Sequence, residues 1–321
     1  MKNGRKNDTL NDASLFLDTF NQNGTQKMVL NDQYTVTENL SKTKKRKFSE
    51  VYRCKSTISN DYYVLKQLQK TEYNTMEQER LRQEATFSFD YEGLPKVLDF
   101  FEDDFSIKLL KKHEQGIPIN EFLAPYSQKK RRRVLGEIML KLSDLFHFIH
   151  EQGILHLDVK PSNILVELIN KNYRVSLIDF GLALRTSTYD DRKTLFPLGF
   201  AAPELILNEL AICNKTTDYY SLGITLWNCL TNRLPLAHPN PSIFTNLQLN
   251  HPLPESTMIP RKYHMLLEKL CAKYSFEVPA NQFKKEAVIT RLQHAQNKRY
   301  QELRDFTNDW IKLTQNSWWR S

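Results

Sequence analysis

Glycine is scarce in this chain of 321 residues: nine in all, and none between Gly24 and Gly93. The four cysteines, Cys54, Cys213, Cys229 and Cys271, stand far apart and form no Cys-x-x-Cys pair. That argues against a disulfide framework or a thiolate zinc site, and for small buried apolar side chains in a reducing compartment. No apolar run is long enough to cross a bilayer; the longest, Leu222 to Leu230, falls far short of the roughly 20 residues a spanning helix needs. No apolar segment follows the basic residues of MKNGRKNDTLND, so a secretory leader is not expected. The expected compartment is the cytoplasm, either a bacterial cytosol or, for a delivered effector, that of a host. No Gly-x-x-x-x-Gly-Lys-Ser/Thr occurs, which excludes a P-loop nucleotide site.

What is present suffices for a large core: 40% of residues are apolar and 18 are phenylalanine. The formal charge of +8 favours acidic partners in general without choosing among nucleic acid, anionic membrane and polyphosphate. Its densest run is Lys129-Lys130-Arg131-Arg132-Arg133. Cations in a first helical turn oppose the helix dipole by about 0.3–1 kcal/mol each, which hints at a use. No aromatic residues interleave for base stacking, however, so a solvated helix face is the expected reading and nucleic acid is not an expected partner.

Along the chain, residues 1–33 read as a polar tail in which Leu15-Phe16-Leu17 and Phe20 could dock as a small helix. Short strands are expected at Tyr34 to Thr37, Glu50 to Arg53, Tyr62 to Leu65, Lys96 to Phe101 and Ser106 to Leu110, with a helix from Met76 to Phe87. Ser127 can cap a long helix whose apolar residues, from Val134 to Ile149, recur at i, i+3, i+4 and i+7, and Gly153 ends it. Two strands, Ile164 to Glu167 and Arg174 to Ile178, precede helices around Asp218 to Leu230 and Tyr263 to Lys273. Strands first and helices after predict an α+β fold with two lobes.

The chemistry concentrates in His156-Leu157-Asp158-Val159-Lys160-Pro161-Ser162-Asn163, followed by Asp179-Phe180-Gly181. Transferring a γ-phosphoryl group needs in-line positioning and neutralisation of charge on the phosphate oxygens. A carboxylate such as Asp179 and an amide such as Asn163 are hard oxygen ligands suited to Mg2+. Asp158 can orient an acceptor hydroxyl and take its proton, with Lys160 facing the γ-phosphate. His156 is read as a structural core histidine. An isolated Asp-Phe-Gly would be only a turn, and Asp218 could be only a helix cap.

These motifs resemble the eukaryotic-type Ser/Thr protein kinase family. Val64-Leu65-Lys66 looks like its third strand, Gly199-Phe200-Ala201-Ala202-Pro203-Glu204 like the end of its activation segment, and Asp218-Tyr219-Tyr220-Ser221-Leu222-Gly223 like the start of the helix anchoring its catalytic loop. Gly93-Leu94-Pro95-Lys96-Val97 resembles a strand entry of many bacterial members. The resemblance implies a bilobal protein-kinase-like fold over 34–295, a small β-rich lobe at 34–115, a larger helical lobe at 116–295, and a tail at 296–321. It implies ATP and Mg2+ as cofactors and a protein substrate bearing Ser or Thr. Asp158 and Lys160 are then catalytic; Lys66, Glu84, Lys160, Asn163 and Asp179 bind the nucleotide; Asn163 and Asp179 hold metal. Glu84, with Glu79 as fallback, is the expected partner of Lys66, and an adenine-reading hinge is expected within Lys111 to Gly116.

The chain also departs from the family. Where a glycine-rich loop belongs, Leu40 to Val51 carries Lys44-Lys45-Arg46-Lys47. These cations either hold phosphates by charge or form a solvated basic turn; the KM for ATP after neutralising all four distinguishes the two. Leu157 replaces the arginine that pairs with an activation-loop phosphate, so activity is expected without phosphorylation at Thr186, Ser187, Thr188, Tyr189 or Thr194. No arginine partner for Glu204 is evident around Glu277 to Asn281. The alternative reading is a pseudokinase scaffold, which the missing glycines favour and the intact Lys66, Asp158, Asn163 and Asp179 oppose. A small-molecule kinase of related fold is disfavoured by the paired Asp-Phe-Gly and Ala-Pro-Glu motifs.

Overall fold

The computed structural model describes residues 16–20, 26–30, 33–41, 49–187, 196–276 and 280–316. The basic segment Lys44 to Lys47, the positions Thr188, Tyr189 and Thr194, and Trp318 and Trp319 lie outside them. The chain divides into two compact units: residues 1–81 with 96–113, and residues 82–95 with 114–321.

The first unit is built on an antiparallel sheet. Its strands are β1 (Phe16–Phe20), β2 (Gln26–Leu30), β3 (Tyr34–Asn39), β4 (Ser49–Ser56), β5 (Tyr62–Gln69), β6 (Val97–Glu102) and β7 (Ser106–Lys112). They lie in the order β1-β2-β3-β4-β5-β7-β6. The segment expected as a small docking helix is instead β1, paired with β2 from Phe16↔Leu30 to Phe20↔Gln26. Five residues are too few for a stable helix, and pairing with β2 gives their backbone groups partners instead. The sheet therefore begins within the expected polar tail. Cys54, Leu65 and Leu110 form its small core, with Tyr34, Val36, Tyr52 and Tyr63 packed on it. Helix α1 (Thr75–Ala85) starts in this unit and ends in the second.

The second unit opens with β8 (Ile117–Pro118), α2 (Ile119–Leu123) and α3 (Gln128–Glu151). As expected, Ser127 caps α3 by accepting from the Lys130 amide at 3.4 Å, and the stripe from Val134 to Ile149 is buried. Then come β9 (Ile154–Leu155), β10 (Ile164–Ile169), β11 (Asn172–Leu177), β12 (Leu184–Arg185), α4 (Pro203–Ile206), α5 (Lys215–Thr231), α6 (Pro241–Asn250), α7 (Arg261–Leu270), α8 (Lys285–Lys298) and α9 (Leu303–Asn316). Gly93 sits at φ +87°, and a Cβ there would lie 2.4 Å from the Val175 carbonyl oxygen, so this crossing over β11 admits only glycine.

The packed unit runs on past position 295, where a tail had been expected. Helix α9 lies against α3: Trp310 is fully buried and its indole N–H donates to the Arg132 carbonyl at 2.9 Å. The Ser143 and Thr307 hydroxyls meet at 2.9 Å. The basic run on α3 is also partly interior. Arg131 is buried and donates to the carbonyls of Tyr126, Ala124 and Cys229, closing the α2–α3 turn onto the end of α5. Lys130 lies 4.0 Å over the Tyr126 ring and Arg133 pairs with Glu137 at 3.8 Å. Among the described residues no helix is long and apolar enough to cross a membrane.

Candidate active site

The loop between β9 and β10 carries His156 to Asn163, and its shape is fixed from below. Asp218, fully buried on α5, accepts the His156 amide at 2.9 Å and the Leu157 amide at 2.8 Å, one on each carboxylate oxygen. It also meets His150 Nε2 at 2.8 Å. These bonds hold Leu157 at φ +60°, a left-handed conformation that a leucine adopts only under constraint. Asp218 is thus no helix cap; Asn214 caps α5, in a reciprocal box with Thr217.

His156 is fully buried and structural, as expected. The Asp158 amide donates to its Nδ1 at 3.2 Å. Nδ1 is therefore the acceptor, and Nε2 carries the proton given to the Ile178 carbonyl at 3.0 Å. The ring also packs edge-on against Phe180, with centroids 4.6 Å apart. One imidazole thereby ties the loop to the strand end preceding Asp179. The Ile178 amide donating to the Asn163 carbonyl at 2.9 Å is a second tie.

Asp158, Lys160 and Asn163 converge. Lys160 Nζ donates to Asp158 Oδ2 at 2.6 Å. Asn163 Nδ2 donates to the same oxygen at 3.0 Å and to the Asp158 carbonyl at 2.9 Å. Asp158 Oδ1 is buried and accepts no hydrogen bond from any described group. Burial pushes the Asp158 carboxyl above its usual range and the charge of Asp179 adds to this, against the opposing pull of Lys160. A desolvated carboxylate with one oxygen pinned and one open can accept a proton from a group placed beside it.

Asp179 is half-buried and stands at φ +70°, an uncommon conformation for aspartate. Because Asn163 spends its side-chain nitrogen on Asp158, its side-chain oxygen Oδ1, contacted here by Ser162 Oγ at 3.3 Å, is the atom left to bind a ligand. Among the described residues no cluster of three or more His, Cys, Asp or Glu side chains is placed to hold a metal. One carboxylate and one amide suit Mg2+, which keeps water and phosphate oxygens in its shell. The residues present fit that ion.

The remaining expected residues are spread over both units. Lys66 is half-buried on β5, in register with Val51 and Leu109. Glu84 is buried on α1 and Glu79 is exposed. Strand β7 ends at Lys112, so the segment expected to read adenine begins in the last two residues of that strand and continues to Gly116.

Sequence reasoning missed the partner of Glu204. It is Arg299, ahead of α9, with Nη1 and Nη2 on Oε1 and Oε2 at 2.6 and 3.0 Å and both side chains fully buried. Burial alone would push the Glu204 carboxyl up, but the Arg299 charge and hydrogen bonds outweigh it and hold the pKa below its usual value.

Comparison with known proteins now settles the family. The profile of the protein kinase domain matches residues 45–311. The chain belongs to the protein kinase family. It is 31% identical over 151 residues to serine/threonine-protein kinase D of Synechocystis, covering 44% of this chain and 28% of that one. It is 29% identical over 215 residues to the smooth-muscle myosin light chain kinase of Gallus gallus, covering 66% and 11%. It is 26% identical over 221 residues to the serine/threonine-protein kinase pkn3 of Myxococcus xanthus, covering 65% and 40%. The matched region therefore spans well under two thirds of each of these relatives. The kinase match runs beyond position 295 and takes in Arg299 and most of α9.

Proposed function

We propose that this kinase transfers the γ-phosphoryl group of ATP to Ser or Thr hydroxyls of protein substrates, with Asp158 as the base. The observation that carries this reading is the Asp158 carboxylate, buried, pinned at Oδ2 by Lys160 and Asn163, and open at Oδ1. An acceptor hydroxyl donating to Oδ1 would be oriented for in-line attack; its proton would pass to that oxygen as its bond to the γ-phosphorus forms and the bond to the β–γ bridging oxygen breaks, releasing ADP. Lys160 would offset charge on the transferring oxygens while holding Asp158 in place.

Asp179 and Asn163 Oδ1 would hold Mg2+. When bound, that ion neutralises charge on the phosphate oxygens. Lys66 would bind the α- and β-phosphates, and the burial of Glu84 against the exposure of Glu79 favours Glu84 as the carboxylate that orients it. Serine or threonine specificity is supported by the Asp158-x-Lys160-x-x-Asn163 form of the loop and by the names of the relatives.

The test is incubation with γ-labelled ATP, Mg2+ and a generic basic acceptor protein, followed by phosphoamino-acid analysis. Label on serine or threonine supports the reading. ATP binding with no transfer would replace it with the pseudokinase scaffold.

A further inference from the structure

Two large aromatic side chains stand almost wholly in solvent on the first unit: Tyr73 is 92% exposed and Phe105 80%. Scattered exposed apolar residues are ordinary. These two, however, sit on loops bonded to each other. The Lys70 amide donates to the Phe105 carbonyl at 2.7 Å, and Lys70 Nζ donates to the Asp103 carbonyl at 2.9 Å while pairing with Glu102 at 3.0 Å.

Each loop is braced. Asn74 accepts from the Thr71 amide at 3.0 Å and donates to the Gln69 carbonyl at 2.7 Å, and Gln78 bonds both Asn74 and the Thr71 carbonyl. Asp103 Oδ1 accepts the amides of Phe105 and Ser106 at 2.8 and 2.7 Å. Aromatic groups presented on pre-ordered loops lose little conformational freedom on binding, which is the usual make-up of an interface anchor.

The surround is acidic in a chain whose formal charge is +8. Glu72, Glu77 and Asp104 are exposed, and Lys70 between the loops is engaged by Glu102. We propose that this surface docks a segment of a partner protein carrying Lys or Arg beside aliphatic or aromatic residues. The cations would face Glu72, Glu77 and Asp104, and the apolar groups would cover Tyr73 and Phe105. A two-fold contact between copies of this chain is disfavoured, because it would set the same carboxylates against each other. The proposal does not depend on phosphoryl transfer.

The probe is a displayed library of random twelve-residue peptides, selected on the whole protein and then measured one by one. The surface predicts enrichment of peptides with both Lys or Arg and large apolar residues. Their affinity should fall at least about tenfold in Tyr73→Ser/Phe105→Ser, fall with Glu72→Lys/Asp104→Lys, and weaken with added salt. Melting curves of both variants should match wild type, since the replaced side chains are exposed. No enrichment, enrichment of acidic peptides, or undiminished binding to Tyr73→Ser/Phe105→Ser would overturn the proposal. So would a concentration-dependent dimer in sedimentation that this variant abolishes, which would assign the surface to a second copy.

Discussion

Replacing Arg299 with alanine leaves the Glu204 carboxylate fully buried with, among the described residues, only Thr217 and Gln296 as side-chain donors, at 2.8 and 3.2 Å. It also removes the donor to the Ala272 carbonyl at 2.9 Å and the second donor, at 3.2 Å, to the helical Thr216 carbonyl. Removing one partner of a buried ion pair costs about 3–5 kcal/mol, most of it the desolvation of the charge left behind. At roughly 2–4 °C per kcal/mol for a unit of this size, the melting temperature should fall by about 6–20 °C. The assay is urea and thermal unfolding followed by circular dichroism, for wild type, Arg299→Ala, Glu204→Gln and Arg299→Met/Glu204→Met. The double variant should lose less than the sum of the charge-removing singles, because it buries no unpaired charge. A loss below about 1 kcal/mol for Arg299→Ala would refute the reasoning.

Three other outcomes follow from the same structure. Trp310→Ala should cost about 3–5 kcal/mol by opening a cavity against α3, whereas a dispensable tail would lose almost nothing; urea midpoints decide. Glu204 has its folded pKa below its ordinary 4.5, so its stabilisation is present above that value and is lost as pH falls through the folded pKa. The urea midpoint of wild type should accordingly drop more steeply in acid than that of Glu204→Gln, and parallel pH profiles would contradict the assignment. Leu157 packs in an apolar cluster with Leu184, Ala201 and Leu205, against which Phe196 lies, so position 157 offers no cation to a phosphate. Phosphatase-treated protein should therefore keep its transfer activity, and a dead sample would show that a phosphate is needed after all.

The catalytic loop was legible because its residues are close in sequence: Asp158, Lys160 and Asn163 fall within six positions, and their types name the chemistry. The long helix α3 was legible for a similar reason, through its capping serine and unbroken apolar stripe. Arg299 was not. It meets Glu204 across 95 positions, and a lone arginine carries no local mark of burial. Arg131 shows the same limit, because five consecutive cations look alike in sequence while the fold buries one of them. Helix α9 did leave a signal: Leu303, Phe306 and Trp310 recur at helical spacing and are all buried. For Asp218 the resemblance pointed to a loop-anchoring helix, and the fold adds the two amides its carboxylate holds and the left-handed Leu157 they restrain.

The account rests most heavily on Asp158 as the proton acceptor, and single-turnover transfer by Asp158→Asn beside wild type tests it most directly. Asparagine keeps the shape and the partners at Oδ2 but cannot take a proton at Oδ1. The account predicts a transfer step slower by about 10²–10⁴-fold with ATP affinity unchanged. A variant within tenfold of wild type would show that the proton goes elsewhere.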